Sequence, residues 1–290
     1  MEINSNITST IIETINTLLG NLFSSIDNKI YEVLDDVTFI SSDIIYDSFF
    51  EKILGTSTSN GILLISNSLL FGLVLYYSIK YLLAYFTYKQ VENPMQFIFK
   101  AIIFGICINF SYFIIEEVLD LFSNITLAIR GIGEDLFHKN ICFAELILEI
   151  NNNISIDTPS LDIFSLDGIL KVSLSTSLLN LVFTYSFRYI MIKIFILLTP
   201  FAILSLILEN TSWFFKAWCR NFFSLLFIQI IVSIVLLILF SMNYSSNNLM
   251  TKFIYIGAIY ALIKSNSLVR DFIGGVSTTF TQNVENLFKK

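Results

Sequence analysis

The hydrophobic positions of this chain form long apolar runs, and two polar blocks rich in acidic residues separate them. Three runs are close to 20 residues long: 61–79, 97–115, which has Lys100 near its start, and 221–242. A helix of about 20 apolar residues crosses the ~30 Å hydrocarbon core of a bilayer, so each run predicts one transmembrane helix. The apolar stretch 169–208 is about twice as long as one crossing requires. We therefore predict two spans there, 169–187 and 190–208, with a turn near Arg188.

The C-terminal region, 244–290, carries a weaker apolar helix at 251–264, whose apolar core of 11 residues is short for a crossing. It is either a sixth span or an interfacial or re-entrant element. The pattern thus predicts an all-α, polytopic membrane protein with five or six transmembrane helices, grouped in 61–115 and 169–243, and with amphipathic helices outside the bilayer.

Nineteen of the 23 acidic residues lie in the two polar blocks, 1–60 and 116–168. In the first block, Thr10 and Glu13 fit a capping box, and the apolar residues that follow recur as in an amphipathic helix. A small helical cap and an oligomerisation or partner helix are both compatible with that pattern. The second block is expected to be an acidic loop region, in which Gly131 and Gly133 break an amphipathic stretch.

Lysine and arginine positions orient the spans, because short loops rich in these residues stay in the cytoplasm. Lys80, Lys89 and Lys100 flank the loop between the first two spans, which is therefore predicted to be cytoplasmic. The acidic blocks hold only four Lys and Arg in 113 residues, which permits their export. With five spans the N-terminus lies outside and the basic C-terminal tail lies in the cytoplasm, although Lys216 and Arg220 then fall outside.

Composition offers little for catalysis or metal binding. The formal net charge is −6, His138 is the single histidine, and the three cysteines have no CxxC spacing. Overall charge argues against a nucleic-acid-binding surface, and the cysteines indicate neither a disulfide framework nor a zinc site. Phosphate-binding loops and common hydrolase motifs do not occur in the sequence. We expect a non-enzymatic protein without a metal, a cofactor or a small-molecule substrate.

Polar and special residues within the apolar runs are candidates for packing or for a translocation path. Pro200 is expected to kink its span, and Asn109 to face protein rather than lipid. One span has a polar face that favours helix packing or a wet path, formed by Ser173, Ser177, Asn180 and Thr184. Trp213 and Trp218 are more typical of anchors at the membrane interface than of ligand cages.

Two pairs of charged residues each have two interpretations. Glu116 and Glu117 form either a site for a cation or a proton, or the external end of a span, which is the commoner case. Arg188 and Lys193 are either buried functional charges or part of a tight cytoplasmic turn, and we favour the turn.

Residues 188–275 resemble a known family. The run 188–238 has a proline-broken span, a short polar link, and an aromatic helix with tryptophan that leads into a long apolar helix. The segment SLVRDFIGG, 267–275, places a Gly-Gly pair after a final apolar helix. Both are similar to the polytopic inner-membrane subunit of type IV secretion and conjugation machines, the TrbL-type conjugal transfer family. Arg270 and Asp271 depart from the small residues common there.

By this resemblance, Pro200 matches the helix break of the family, Trp218 its tryptophan, and Gly274 and Gly275 its tail glycines. The candidate structural or translocation residues are Pro200, Trp213, Trp218, Arg220, Gly274 and Gly275. The family implies a channel or scaffold subunit of the bacterial cytoplasmic membrane that helps a DNA–protein substrate across. Its implied partners are further copies of itself, other secretion subunits, secretion ATPases, the lipid bilayer and, transiently, the DNA. A small-molecule or ion transporter is the alternative.

Overall fold

The computed structural model of this chain describes Thr10, Thr14, 28–55, 61–87, 93–146, 166–241 and 249–273. Across these residues the regular structure is helical, and they contain no β-strand. The predicted all-α class is confirmed. The predicted capping residue Glu13 lies outside the described residues, as do Gly274 and Gly275.

The longer helices follow one another as α1 Asn28–Thr38, α2 Ser48–Leu54, α3 Ile62–Thr87, α4 Pro94–Asn109, α5 Ser111–Phe137, α6 Leu166–Leu204, α7 Ser212–Ser241 and α8 Leu249–Ile273. Short 3₁₀ turns, Ser42–Ile44 and Glu209–Thr211, precede α2 and α7. Asn93 caps α4, since its side chain accepts a hydrogen bond from the Met95 N–H and Pro94 occupies the first turn.

The centre of the molecule is a bundle in which α5, α6 and α8 pack around α7. Helix α5 runs parallel to α7, because Phe122 contacts the rings of Phe223 and Phe227, and further along both helices Gly133 faces Leu237. Helix α6 runs antiparallel to α7. The Trp218 indole of α7 therefore meets the carbonyl of Phe195 in the second half of α6.

The N-terminal segment enters this bundle instead of lying on its surface. Leu34, Ile40, Ile44 and Leu54 are buried and belong to the same apolar core as α5, α6 and α7. The side of the membrane on which residues 1–60 lie stays a prediction. Their packing nevertheless makes residues 34–54 an integral part of the bundle.

Helices α3 and α4 form an antiparallel hairpin beside the C-terminal half of α6. The rings of Tyr77 and Phe97 stack with centroids 3.7 Å apart. Near the other end, Asn67 and Asn109 exchange side-chain amide hydrogen bonds at 3.0 and 3.3 Å. Asn109 thus contacts protein, as predicted for a polar residue in an apolar span, because an unpaired amide is costly in lipid.

Within the part of the chain that the structure describes, three helices are long and apolar enough to cross a membrane: Ile62–Thr87, Thr176–Leu204 and Glu209–Ser241. A fourth crossing results if α4 and α5, which are bent by 58° at Phe110, count as one span. The apolar part of α8, Ile256–Val269, is shorter than these. The chain is therefore consistent with a multi-pass membrane protein, whereas five or six spans are not confirmed.

Two sequence predictions about helix breaks differ from the structure. The predicted turn at Arg188 is absent, because α6 continues through it, so the two predicted spans form one helix that ends at Leu204. The glycines at 131 and 133 do not interrupt α5 either. In both cases tertiary packing outweighs a local signal: Arg188 finds hydrogen-bond partners inside the bundle, and Gly133 lies at a close helix contact.

Asp35 joins α1 to the segment that follows α5. Its two carboxylate oxygens accept hydrogen bonds from the backbone N–H groups of Phe143 and Ala144, at 2.9 and 3.3 Å. Burial raises the pKa of the Asp35 carboxyl above its ordinary 3.8, although these N–H groups and Arg130 act in the opposite direction. Arg130 itself stacks over the ring of Phe39, 4.6 Å from its centroid.

The raised pKa of Asp35 predicts a specific pH dependence. The folded protein holds this proton more tightly than the unfolded chain, so its contribution to stability is complete below pH 3.8 and is lost as pH rises through the raised pKa. The free energy of unfolding of the parent should therefore fall relative to Asp35→Asn as pH rises from 3.8. Denaturant unfolding in micelles at a series of pH values measures this. Glu117→Gln, at an exposed position of α5, is the control, and parallel profiles for the parent and Asp35→Asn would contradict the assignment.

Candidate functional site around Arg188

Arg188 lies in the interior of the bundle, midway along the apolar part of α6. Its side chain is 0% exposed. The Nε–H donates to the carbonyl oxygen of Leu225 on α7 at 2.8 Å, and Nη1 donates to the carbonyl oxygen of Thr38 at 2.8 Å. One guanidinium group thus ties together three chain segments that are far apart in sequence.

Gln229 approaches the same backbone segment from the neighbouring helix. It follows Leu225 by one turn of α7, so both lie on the helix face directed at α6. The Gln229 Oε1 accepts a hydrogen bond from the N–H of Ile40 at 3.2 Å. Arg188 and Gln229 therefore hold the chain on either side of Phe39, where α1 has ended and backbone groups need partners outside a helix.

This arrangement accounts for non-helical backbone in the middle of an apolar bundle. Such backbone is tolerated at membrane depth where protein surrounds it and its polar groups are hydrogen-bonded. Thr38 and Ile40 satisfy that condition through side chains of α6 and α7. Arg188 and Gln229 are thus the residues that allow the N-terminal segment to enter the bundle.

The cluster keeps unused hydrogen-bonding capacity. The Arg188 Nη2, the Gln229 Nε2 and the Thr38 Oγ1 are buried and have no hydrogen-bond partner among the described residues. Arg188 also makes no ion pair in that part of the chain. A buried guanidinium with a spare N–H can bind a small anion or a carboxylate, since charge-assisted bonds of this kind are short and strong.

A second group of polar side chains joins α6 to α8 one turn away. The Tyr185 hydroxyl lies 3.1 Å from the carbonyl oxygen of Leu262 and 3.3 Å from the Ser265 hydroxyl. Asn266 is buried beside them, and its amide has no partner within the described residues. Polar contacts thus join α6 to α7 through Arg188 and α6 to α8 through Tyr185, about one turn apart on α6.

The predicted polar face of the first part of α6 leads toward these contacts. Ser173 is exposed, Ser177 and Asn180 are half-buried, and Thr184 is buried, with its hydroxyl 3.5 Å from the Asn180 Oδ1. The steps between these positions are three or four residues, and Arg188 continues the series by one further turn. The polar face thus runs from an exposed end of α6 to the buried arginine.

The other predicted residues lie apart from Arg188. Pro200 is buried in α6 and cannot donate to the Ile196 carbonyl, while the neighbouring carbonyl of Phe195 accepts the Trp218 indole N–H at 2.9 Å. Trp218 is 6% exposed, and its indole N–H is hydrogen-bonded inside the bundle. It is therefore a packed residue and not an anchor at the membrane interface. Trp213 is 66% exposed, which suits the predicted interfacial position. Arg220 is exposed.

The carboxylates predicted as a possible pair have separate environments. Glu116 accepts a hydrogen bond from the Tyr46 hydroxyl, whereas Glu117 is exposed. Among the described residues, no group of three or more His, Cys, Asp or Glu side chains is arranged to hold a metal ion. Glu116 thus forms a hydrogen bond with the N-terminal segment, as Arg188 and Gln229 also do.

Comparisons with protein-family models, with curated proteins and with solved structures give no match. The resemblance of residues 188–275 to the TrbL-type conjugal transfer family stays a prediction.

Sequence reasoning missed most of this cluster. Gln229 is the one amide in the interior of the strongest apolar run, and a polar residue at such a position indicates a helix contact or a functional site. Tyr185 and Asn266 carry a weaker signal of the same kind. The contact of Thr38 with Arg188 could not be predicted from the sequence, because it uses the backbone carbonyl, which every residue has.

Proposed function

We propose that this chain is a non-enzymatic channel or scaffold subunit of a bacterial type IV secretion apparatus for conjugation. In that role it resides in the cytoplasmic membrane, with the N-terminus outside and the C-terminus inside. It helps a DNA–protein substrate across the membrane, with energy supplied by partner ATPases. The resemblance of residues 188–275 supports the family, and the apolar helices support a multi-pass location.

The observation that carries the scaffold role is the apolar surface of α3. Along this helix, large apolar side chains on nearly every side are exposed in a single copy of the chain, among them Leu64, Phe71, Leu75, Ile79 and Phe86. Transmembrane helices associate by close side-chain packing. A helix with so few internal contacts is suited to packing against lipid and against other subunits, which fits a homo-oligomer with secretion partners.

The buried polar groups support the same proposal, because they join parts of the chain to one another. Arg188 and Gln229 hold the segment after α1, Tyr185 holds α8, and Asp35 holds the segment after α5. A subunit that must transmit or resist movement between its membrane and external parts needs such ties. We assign the polar face of α6, which begins at Ser173, either to a contact between subunits or to the lining of the translocation path.

Deletion of the gene in a conjugation donor tests this function. We expect DNA transfer to recipients to be lost, growth of the donor to be unchanged, and transfer to return when the parent chain is supplied in trans. An Arg188→Ala chain that reaches the membrane at the parent level should restore transfer poorly. Unchanged transfer in the deletion strain would exclude the proposed role.

A transporter of small anions is the second candidate, and the unused N–H groups of Arg188 and Gln229 favour it. Two buried donors, one of them on a positively charged guanidinium, have the chemistry that binds a halide or a small carboxylate. The purified protein in liposomes would then take up such an anion with saturable kinetics, and Arg188→Met would abolish the uptake. Uptake that does not differ from that of empty liposomes would exclude this class.

A further inference from the structure

An apolar cavity lies between α4, α5, α6 and α7, on the side of α6 that carries Thr199 and Ile203. Its volume is about 290 Å³. The wall consists of apolar and sulfur-containing side chains together with Thr199, whose hydroxyl already donates to the Phe195 carbonyl at 3.1 Å. The cavity therefore offers no free hydrogen-bonding group, and water has nothing to bind inside it.

The cavity arises from the geometry of the helices around it. The 58° bend at Phe110 turns α4 away from the axis of α5, and α6 ends at Leu204, one turn after Pro200. On the opposite wall, the rings of Trp218 and Phe222 stack with centroids 5.2 Å apart. A void of this size is unusual, because protein interiors are close-packed.

The size and chemistry of the cavity call for an apolar occupant. An apolar cavity of about 150 Å³ stays dry and binds a molecule as large as benzene, and this cavity is roughly twice as large. Left empty, it would deprive its lining of many van der Waals contacts. An occupant without polar atoms would restore these contacts and leave no group unpaired.

The position of the cavity identifies the occupant. Its lining residue Ile114 is 44% exposed at the bend, and the neighbouring side chains Ile106 and Phe110 are also exposed. The cavity is thus continuous with the apolar outer surface of helices that are long and apolar enough to lie in a membrane. We propose that it is a binding site for one acyl chain of a bilayer lipid. This proposal depends on the membrane location and not on the secretion role.

Tryptophan fluorescence in bromine-labelled lipid tests the site. The Trp213→Phe chain keeps Trp218 as its single tryptophan, and Trp218 lines the cavity. The chain is reconstituted in phosphatidylcholine vesicles with or without bromine atoms on one acyl chain, which quench fluorescence on contact. We expect Trp218 to lose most of its fluorescence in brominated vesicles although its side chain is buried. The Trp218→Phe chain reports on exposed Trp213 and checks that the bromine is accessible.

A variant that fills the cavity gives the decisive comparison. In the Trp213→Phe background, Cys219→Phe places a ring in the cavity, whereas Cys219→Ser keeps this lining residue small and leaves the cavity open. The Phe variant should lose the quenching of Trp218, and the Ser variant should keep it. Circular dichroism and gel filtration establish that each variant is folded.

Two results would overturn the proposal. The first is fluorescence of Trp218 that is the same in brominated and ordinary vesicles, or quenching that Cys219→Phe leaves intact. The second is quenching that appears only when the protein is diluted in lipid, since a side chain of a second copy would then occupy the cavity. Neither result bears on DNA transfer, so the secretion proposal is tested separately.

Discussion

Replacing Arg188 by alanine is expected to release the N-terminal segment from the bundle and to lower the free energy of unfolding by about 3 kcal/mol. The variant loses two charge-assisted hydrogen bonds, to the carbonyls of Leu225 and Thr38, each worth about 1.5–3 kcal/mol. Relief from burying a guanidinium with one unpaired nitrogen offsets part of that loss. Denaturant unfolding in micelles measures the change in stability.

Hydrogen exchange locates the effect of this substitution. The amides of residues 38–45 should exchange faster in Arg188→Ala, because the Thr38 carbonyl has lost its donor and only the bond from Ile40 to Gln229 still ties this backbone to α7. Arg188→Lys keeps the charge but lacks the planar fork that reaches two carbonyls, so an intermediate result is expected. Unchanged exchange in the alanine variant would show that Arg188 does not hold this segment.

Lys193→Ala is the matched control, one and a half turns along the same helix. Lys193 pairs with Asp47 at 2.9 Å, but both side chains are partly exposed. Exposed ion pairs contribute about 0–1 kcal/mol, so this loss should be far smaller than that at Arg188.

Arg188→Met adds a test of volume, because methionine fills much of the space without a charge or a donor. Parent-like stability in Arg188→Met would mean that packing, and not hydrogen bonding, is the contribution of Arg188.

The long apolar helices could be predicted from the sequence. A helix that is buried in hydrocarbon requires a long continuous run of apolar residues, and such a run is directly visible in the sequence. Residues 62–79 of the first run lie in α3, and residues 221–241 of the last form most of α7. Where one helix continues beyond an apolar run, the pattern was less informative. Helix α6 has 39 residues, more than one crossing uses, and its length indicated two helices where there is one.

Arg188 illustrates why the candidate site could not be predicted. A charge in an apolar run indicates either a membrane interface or a buried contact, and the choice depends on partners. Here the partners are backbone carbonyls 37 and 150 residues away, which no side-chain pattern records. A partner for Gln229 could be expected from the sequence, since an amide in an apolar run needs a hydrogen-bond partner. Only the folded structure identifies that partner as the N–H of Ile40.

Glycines in α5 provide the second large prediction, because two positions in one helix are expected to respond with opposite signs. A Cβ atom at Gly133 would lie 2.5 Å from Ile141 Cγ1 and 2.7 Å from Leu237 Cδ1, where Ile141 is fully buried. At Gly131 no atom lies within 4 Å of the added Cβ. Gly133 is thus required for the approach of α7 and of the segment after α5, whereas Gly131 is not.

Alanine at each position separates helix propensity from packing. Gly131→Ala should stabilise the protein by up to about 1 kcal/mol, the propensity difference in a helix interior. Gly133→Ala gains the same propensity but must displace buried side chains, and overpacking costs about 1–3 kcal/mol, so it should be neutral to destabilising. Gly133→Val should cost about 3 kcal/mol, since its two methyl groups enlarge the clash. Denaturant unfolding of the four proteins in micelles measures these differences. Equal effects of alanine at the two positions would mean that α5 and α7 can separate freely at Gly133.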